Sequence, residues 1–138
     1  MYEPTMKTLS AAECVQLLHQ VPVGRIGITV DALPVILPVN FSVMGDEIMF
    51  RTNPGTKLAA ASAGTVVAFE VDWWEEDGCS GWSVLAQGMA YEVTDPFQRE
   101  AALAAPIRAW ASGDRADHVV RIEMRKLTGR RFGPQAVP

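Results

Sequence analysis

The sequence predicts a mainly β protein, a closed six-stranded antiparallel barrel with peripheral helices. Six segments have the alternating or continuously apolar pattern of strands. Most connections between them are too short for the crossovers that parallel strands need. The fifth segment is long and contains Gly81 and Gly88, which indicate the bends or bulges that let a sheet curl into a barrel. With 138 residues and no internal repeat, the chain is most simply one domain, residues 1–138.

The first element in the sequence is a short helix. Ser10 is a suitable N-cap, and Glu13 completes the S-x-x-E capping box three residues later. The helix turns Cys14, Leu17 and Leu18 toward the core and ends before Pro22.

Strands begin at Val23 and are joined at first by tight turns. Residues 31–34 read as the turn of a hairpin, and Gly45 with Asp46 marks the next turn. The fourth strand is apolar almost to its end, which indicates a central position in the sheet. The predicted strands are residues 23–30, 35–44, 47–52, 65–74, 81–93 and 118–132.

Two further helices interrupt the strands. Thr56 is placed to cap a short helix over residues 57–63. Asp95 with Pro96 starts another that runs to Ala104, followed by an interruption at Pro106 and a short turn around Trp110.

Composition excludes several classes of protein. Twelve Lys and Arg stand against sixteen Asp and Glu, with no basic block, so nucleic-acid binding is not expected. No apolar run approaches the ~20 residues that a membrane helix needs, and the N-terminus has no apolar signal core. We expect a cytoplasmic protein with two free thiols, Cys14 and Cys79.

The stretch FRTNPGTK, residues 50–57, carries the strongest chemical signal. Arg51 leaves the end of a strand and Lys57 begins the helix that Thr56 caps. The free N–H groups of a helix start attract anions, and a guanidinium matches two phosphate oxygens. The stretch is therefore a candidate phosphate site. Two ordinary surface cations beside a capped turn are an equally good interpretation of the spacing alone.

Other reactive residues form no constellation. His19 and His118 have no nearby metal-ligand pattern, so no metal site is predicted. Ser83 is not within G-x-S-x-G, so hydrolase chemistry has no support. Trp73 and Trp74 are adjacent on a strand and point to opposite faces, so at most one can line a cleft.

Four segments together resemble a known family. They are residues 23–41, 48–61 (IMFRTNPGTKLAAA), 67–72 (VAFEVD) and 81–93 (GWSVLAQGMAYEV), in this order and spacing. They resemble the pyridoxamine 5'-phosphate oxidase-like proteins of the FMN-binding split-barrel superfamily, over residues 7 to 132. The C-terminal Arg130 and Arg131 do not match the substrate-phosphate residues of established pyridoxamine-phosphate oxidases, so the resemblance does not extend to vitamin B6 activity.

The resemblance implies a split barrel that forms a homodimer and holds one flavin in each of two clefts between subunits. It assigns the FMN phosphate to residues of the FRTNPGTK stretch and the flavin ring to the PVNF segment, largely through backbone contacts. It places the GWS segment over the cofactor, with a weaker assignment of a tryptophan from the partner subunit. The implied cofactor-binding residues are Val39, Asn40, Phe41, Arg51, Thr52, Thr56, Lys57, Trp82, Ser83 and Trp110.

The function implied is an FMN-dependent oxidoreductase acting on a small organic substrate, with no catalytic acid or base identified. One alternative is a deazaflavin-dependent reductase that uses the same cleft. Another is a non-catalytic flavin- or heme-binding module, and a third is a dimeric interaction protein without a cofactor. In all flavin cases the hard chemistry belongs to the cofactor.

Overall fold

The computed structural model describes residues 4–105 and 118–134. Trp110 and the turn predicted around it lie outside these residues. The described part contains eight strands and three helices in the following order: β1 (Pro4–Thr8), α1 (Ala11–Leu18), β2 (Val23–Val30), β3 (Leu33–Met44), β4 (Glu47–Thr52), α2 (Lys57–Ala61), β5 (Thr65–Trp74), β6 (Gly81–Glu92), α3 (Pro96–Ala104), β7 (His118–Glu123) and β8 (Lys126–Pro134).

The strands form one antiparallel sheet that closes on itself. Its order is β1-β8-β6-β5-β2-β3-β4-β7, and β6 also pairs with β7. This last pairing closes a barrel of six strands, β2 to β7, and leaves β8 and β1 as an extension beside β6. The predicted fold class is confirmed, and so is the central position of β5 between β2 and β6.

Strand β6 divides its second edge between two partners. Gly81 to Gln87 pair with β8, whereas Ala90 to Glu92 pair with β7. Gly88 lies between these two sets, and a Cβ atom added there would be 1.8 Å from the carbonyl oxygen of Glu123. Pairing with β5 runs without interruption from Gly81 to Ala90, so the predicted bulges are wrong for that edge. Gly88 instead lets the end of β7 approach closely.

Two strand predictions need correction. Residues 118–132 do not form one strand, because β7 ends at Glu123 and β8 begins at Lys126. Strand β1 was not predicted at all. It pairs only with β8 among the described strands, from Pro4 with Pro134 to Thr8 with Arg130. Its exposed Met6 and Lys7 give it no buried face that a pattern could reveal.

The core fills the barrel and continues under α1. The largest fully buried side chains include Phe50, Phe69 and Ile26. Helix α1 adds Cys14, Leu17 and Leu18 to this core, as predicted. A smaller cluster lies between α3 and the outer side of β4 and β7. Both cysteines are free, with Cys14 buried and Cys79 exposed.

Local hydrogen bonds explain where the helices begin. The capping box of Ser10 and Glu13 is complete, and the Asp95 carboxylate accepts from the backbone N–H of Gln98 at 3.0 Å, with Pro96 at the start of α3. These predictions are confirmed. The turn between β2 and β3 is tighter than expected, because the strands pair as far as Val30 with Leu33.

Candidate functional site

The turn from β4 into α2 is held together by two threonine hydroxyls. Thr56 has the extended backbone of an N-cap and its Oγ1 accepts from the backbone N–H of Ala59 at 3.1 Å, so the predicted cap is confirmed. The same hydroxyl donates to the carbonyl of Asn53 at 2.9 Å and lies 3.2 Å from Oγ1 of Thr52. Because a hydroxyl has a single proton, Thr52 is the donor to Thr56. Both threonine protons are therefore engaged within the chain.

Helix α2 is shorter than predicted. It spans Lys57–Ala61, five residues, so few peptide dipoles add up along its axis. Lys57 is its first residue, as the sequence indicates. The expected attraction for an anion here depends more on neighbouring donors than on the helix itself.

Asn40 and Arg51 lie on the outer face of two neighbouring strands, each one residue beyond the last paired position. Phe41 of β3 pairs with Phe50 of β4, and both phenylalanines are buried in the core. Asn40 and Arg51 are the next residues along each strand, so their side chains project from the opposite face. The Nδ2 atom of Asn40 is buried and has no hydrogen-bond partner among the described residues. A buried amide donor without a partner is costly, and it marks a position where an acceptor fits.

The flanking residues of the PVNF segment point inward. Val39 and Phe41 are 7% and 6% exposed and belong to the main core, where the ring of Phe41 contacts that of Phe69 edge-on. Their side chains are therefore unavailable to a ligand outside the barrel. Backbone atoms are what these two residues can offer to a cofactor on the outer face.

Trp82 and Ser83 lie on opposite faces of β6. Trp82 is 5% exposed and belongs to the core, whereas Ser83 is half-buried on the outer face. Ser83 shares that face with Asn40, but β2 and β5 lie between their strands. In the closed ring of six strands, β3 and β6 are three positions apart in either direction, so the outer faces of Asn40 and Ser83 point to opposite sides of the barrel. Within one chain, Thr52 and Thr56 are in direct contact, and Asn40 and Arg51 lie on the paired strands β3 and β4. Trp82 and Ser83 lie on β6, which pairs with neither of those strands among the described residues.

A charged cluster that the sequence did not reveal lies between Asn40 and Ser83. Arg25 of β2 places its Nη1 3.3 Å from Oε1 of Glu70 and 3.3 Å from Oδ1 of Asp72, both on β5. The three form one cluster because Arg25 is in register with Glu70 and the two acids are two residues apart on one strand. The alternation of apolar and acidic residues in AFEVDW was the sequence signal that could have placed both acids on one face of the strand.

Glu70 titrates near neutral pH. Desolvation by burial, then a hydrogen bond and charge repulsion from Asp72, raise the pKa of Glu70 to about 7, against the lowering effect of Arg25. A carboxyl group with this pKa exchanges a proton readily at physiological pH. It is the strongest acid–base feature that the described residues show on the outer face.

Other kinds of site find no support in residues 4–105 and 118–134. No group of three or more metal-ligating side chains is close enough there to hold a metal ion. No helix in the same residues is both long and apolar enough to cross a membrane.

Comparison with known proteins defines the family. The model of the family described as pyridoxamine 5'-phosphate oxidase matches residues 10–131, and the chain belongs to this family. The expected resemblance is confirmed. An uncharacterized protein of Mycobacterium tuberculosis (strain ATCC 25618 / H37Rv) is 37% identical over 129 residues, which cover 90% of this chain and 84% of the relative.

Solved structures of related chains have the same fold. An FAD binding protein from Mycobacterium smegmatis is 39% identical with a TM-score of 0.78, and the match covers 91% of this chain and 97% of that protein. A conserved protein of unknown function from Corynebacterium diphtheriae is 30% identical with a TM-score of 0.75, over 92% of this chain and 98% of its own.

Proposed function

We propose that this protein binds a flavin nucleotide on the outer face of the barrel and serves as a flavin-dependent oxidoreductase for a small organic substrate. The observation that carries the proposal is the unpartnered, buried Nδ2 atom of Asn40 next to Arg51. The similarity to the FAD binding protein from Mycobacterium smegmatis supports the choice of ligand.

Each residue near the turn has a distinct part in holding the flavin. The Arg51 guanidinium and the Lys57 ammonium bind the phosphate, the first by its two-pronged geometry and the second as a point charge. Thr52 and Thr56 fix the shape of the turn, since their hydroxyl protons are already engaged. The Asn40 amide donates a hydrogen bond to a carbonyl oxygen or a ring nitrogen of the flavin. This bond removes the free-energy penalty of burying the amide without a partner. The flavin, when bound, supplies the redox chemistry.

A second copy of the chain completes the proposed site. Ser83 lies too far from Asn40 in one chain to share a ligand with the phosphate-binding turn, but a two-fold arrangement brings the GWS segment of a partner subunit to it. An apolar outer surface supports such a homodimer. Ile36 of β3 and Val66 of β5 are 71% and 70% exposed, and Gly27 and Ala68 lie beside Ile36 in register. Exposed apolar patches of this kind are typical of interfaces.

The first test is the visible absorption spectrum of the purified protein, before and after incubation with FMN or FAD and removal of free flavin. Retained flavin in the wild type and its loss in the double variant Arg51→Ala, Lys57→Ala support the proposal. Stoichiometric flavin in the double variant shows that the phosphate is held elsewhere. Arg99→Ala is the matched control, because it removes a cation from α3 instead of the proposed turn.

The choice between flavins is settled by the same titration. FMN was expected from the resemblance, whereas the relative in Mycobacterium smegmatis is an FAD binding protein. A deazaflavin is tested in parallel. Turnover requires that the bound cofactor, reduced by a nicotinamide or deazaflavin donor, is reoxidised by a substrate. A protein that retains flavin without such turnover is a binding module and not an enzyme.

The dimer is tested by light scattering at micromolar concentration. Ile36→Glu places a charge in the proposed interface, so we expect a monomer that retains its far-UV circular dichroism. Phe97→Glu is the matched control, because Phe97 is 86% exposed on α3. A monomeric wild type contradicts the proposed assembly.

A further inference from the structure

A cavity lies on the other side of the sheet from Asn40 and Arg51. It has a volume of about 320 Å³ and is bordered by the end of the β5–β6 hairpin and by the β8–β1 extension. Lys7, Trp73, Trp82 and Arg131 contribute to its walls, together with Thr5 and Ser80. This volume is at the lower end of the ~300–1,000 Å³ range of small-molecule sites.

Four of these side chains form one row across four strands. Trp73 is in register with Trp82, Trp82 with Arg131, and Arg131 with Lys7. Residues directly opposite each other in an antiparallel sheet project from the same face. The row therefore runs from two indole rings to two cations.

The pairing of Lys7 with Arg131 is unfavourable as it stands. Like charges directly opposite each other on a sheet repel. Neither residue makes a salt bridge within residues 4–105 and 118–134. Hydrogen bonds with Ser10 are the first cause of the lowered pKa of Glu13, and the charges of Lys7 and Arg131 lower it further. The exposed Glu75 is the one acidic side chain that the described lining of the cavity contains.

The aromatic part of the row is open to a ligand. Trp73 is 48% exposed, although its neighbour Trp74 is stacked on Phe132 at 5.3 Å on the opposite face. An exposed indole face attracts planar rings, and it lies in the same row as the two cations. An anionic group carried on a planar ring matches both ends of the row.

We infer that this cavity binds an aromatic phosphate of the nucleoside monophosphate class, with its phosphate between Lys7 and Arg131 and its base against Trp73. The site is separate from the proposed flavin site, because the two occupy opposite faces of the sheet. Trp82, which the resemblance assigned to the flavin, forms part of the wall of this cavity.

The test measures binding of 5′-AMP, adenosine and inorganic phosphate to the full-length protein by calorimetry, with and without saturating FMN. We expect 5′-AMP to bind at least about tenfold more tightly than either adenosine or phosphate, because only 5′-AMP engages both ends of the row. Equal affinity for 5′-AMP and phosphate overturns the inference. So does loss of 5′-AMP binding in the Arg51→Ala, Lys57→Ala variant, because the cavity would then belong to the proposed flavin site.

Matched variants locate the site. Arg131→Gln is expected to weaken 5′-AMP binding by about tenfold, and Arg131→Lys to restore most of it. Arg130→Gln is the control, because it removes the same charge one residue away on the opposite face of β8 and should change affinity by less than about twofold. Trp73→Leu should weaken 5′-AMP but not phosphate. Equal losses in the Arg130 and Arg131 variants overturn the inference, whether or not flavin binds.

Discussion

The hydroxyl oxygens of Thr52 and Thr56 lie 3.2 Å apart, and this contact joins the end of β4 to the start of α2. Thr52 is 8% exposed, so its hydroxyl depends on Thr56 for a partner. The proposed phosphate-binding turn is consequently shaped before any ligand arrives, which reduces the entropy lost on binding.

Removal of the cap is the first prediction. Thr56→Ala loses the bond to Ala59 and leaves the buried Thr52 hydroxyl without its acceptor, so we expect a loss of about 1–2 kcal/mol in the free energy of unfolding. Urea denaturation measures it. Thr56→Ser keeps the hydroxyl and is the matched control. A Thr56→Ala protein as stable as Thr56→Ser would show that the cap contributes nothing.

A close backbone approach gives the second prediction. Gly88→Ala places a Cβ atom 1.8 Å from the Glu123 carbonyl oxygen, so strands β6 and β7 must separate. We expect a loss of at least about 1–3 kcal/mol or failure to fold. In Gly133→Ala the added Cβ atom meets Oγ and Cβ of Ser80 at 3.5 Å and 3.8 Å, which are ordinary contacts, so this variant serves as the control. Thermal unfolding of both variants distinguishes them, and equal midpoints contradict the prediction.

The features that could be predicted from the sequence are those that depend on local chemistry. The caps at Ser10, Thr56 and Asp95 are side-chain hydrogen bonds within three residues, so their spacing is visible in one segment. The barrel strands were predictable because one of their faces is buried. Strand β1 was not predicted, because both of its faces are largely exposed and only its long-range pairing with β8 defines it.

The candidate site was predictable only in part. Arg51 and the PVNF segment were named from a resemblance, but their relative placement depends on the register of β3 with β4, which no local pattern specifies. Trp82 and Ser83 were assigned together although neighbours on a strand face opposite ways, a point that alternation alone could have shown. The Arg25, Glu70 and Asp72 cluster needs the register of β2 with β5.

The hairpin turn between β2 and β3 gives the third prediction. Asp31 and Ala32 have positive φ angles of 51° and 64°, which the short connection requires and which are unfavourable for alanine. Ala32→Gly is expected to raise the free energy of unfolding by about 0.5–1 kcal/mol. Ala101→Gly in α3 is the control and should lower it by a similar amount. A lower stability for Ala32→Gly than for the wild type contradicts the prediction.

The fourth prediction concerns Glu70 and pH. Its ordinary pKa of 4.5 applies in the unfolded chain, and the folded pKa is about 7, so the folded state binds more protons between these values. The contribution of Glu70 to stability therefore falls as pH rises from about 4.5 to about 7, and it does not change further above that range. Denaturant midpoints across this window measure the slope.

A substitution at Glu70 measures how much this residue contributes to the pH dependence of the free energy of unfolding. Glu70→Gln removes the titrating group and keeps a neutral side chain of the same shape beside Arg25 and Asp72, so the decline should become shallower and the variant should gain stability over the wild type above pH 7. Glu76→Gln, in the exposed loop after β5, is the control and should keep the full decline. Parallel slopes for wild type and Glu70→Gln would mean that Glu70 is charged in the folded protein throughout the window. The Arg25 guanidinium would then outweigh burial and the repulsion from Asp72.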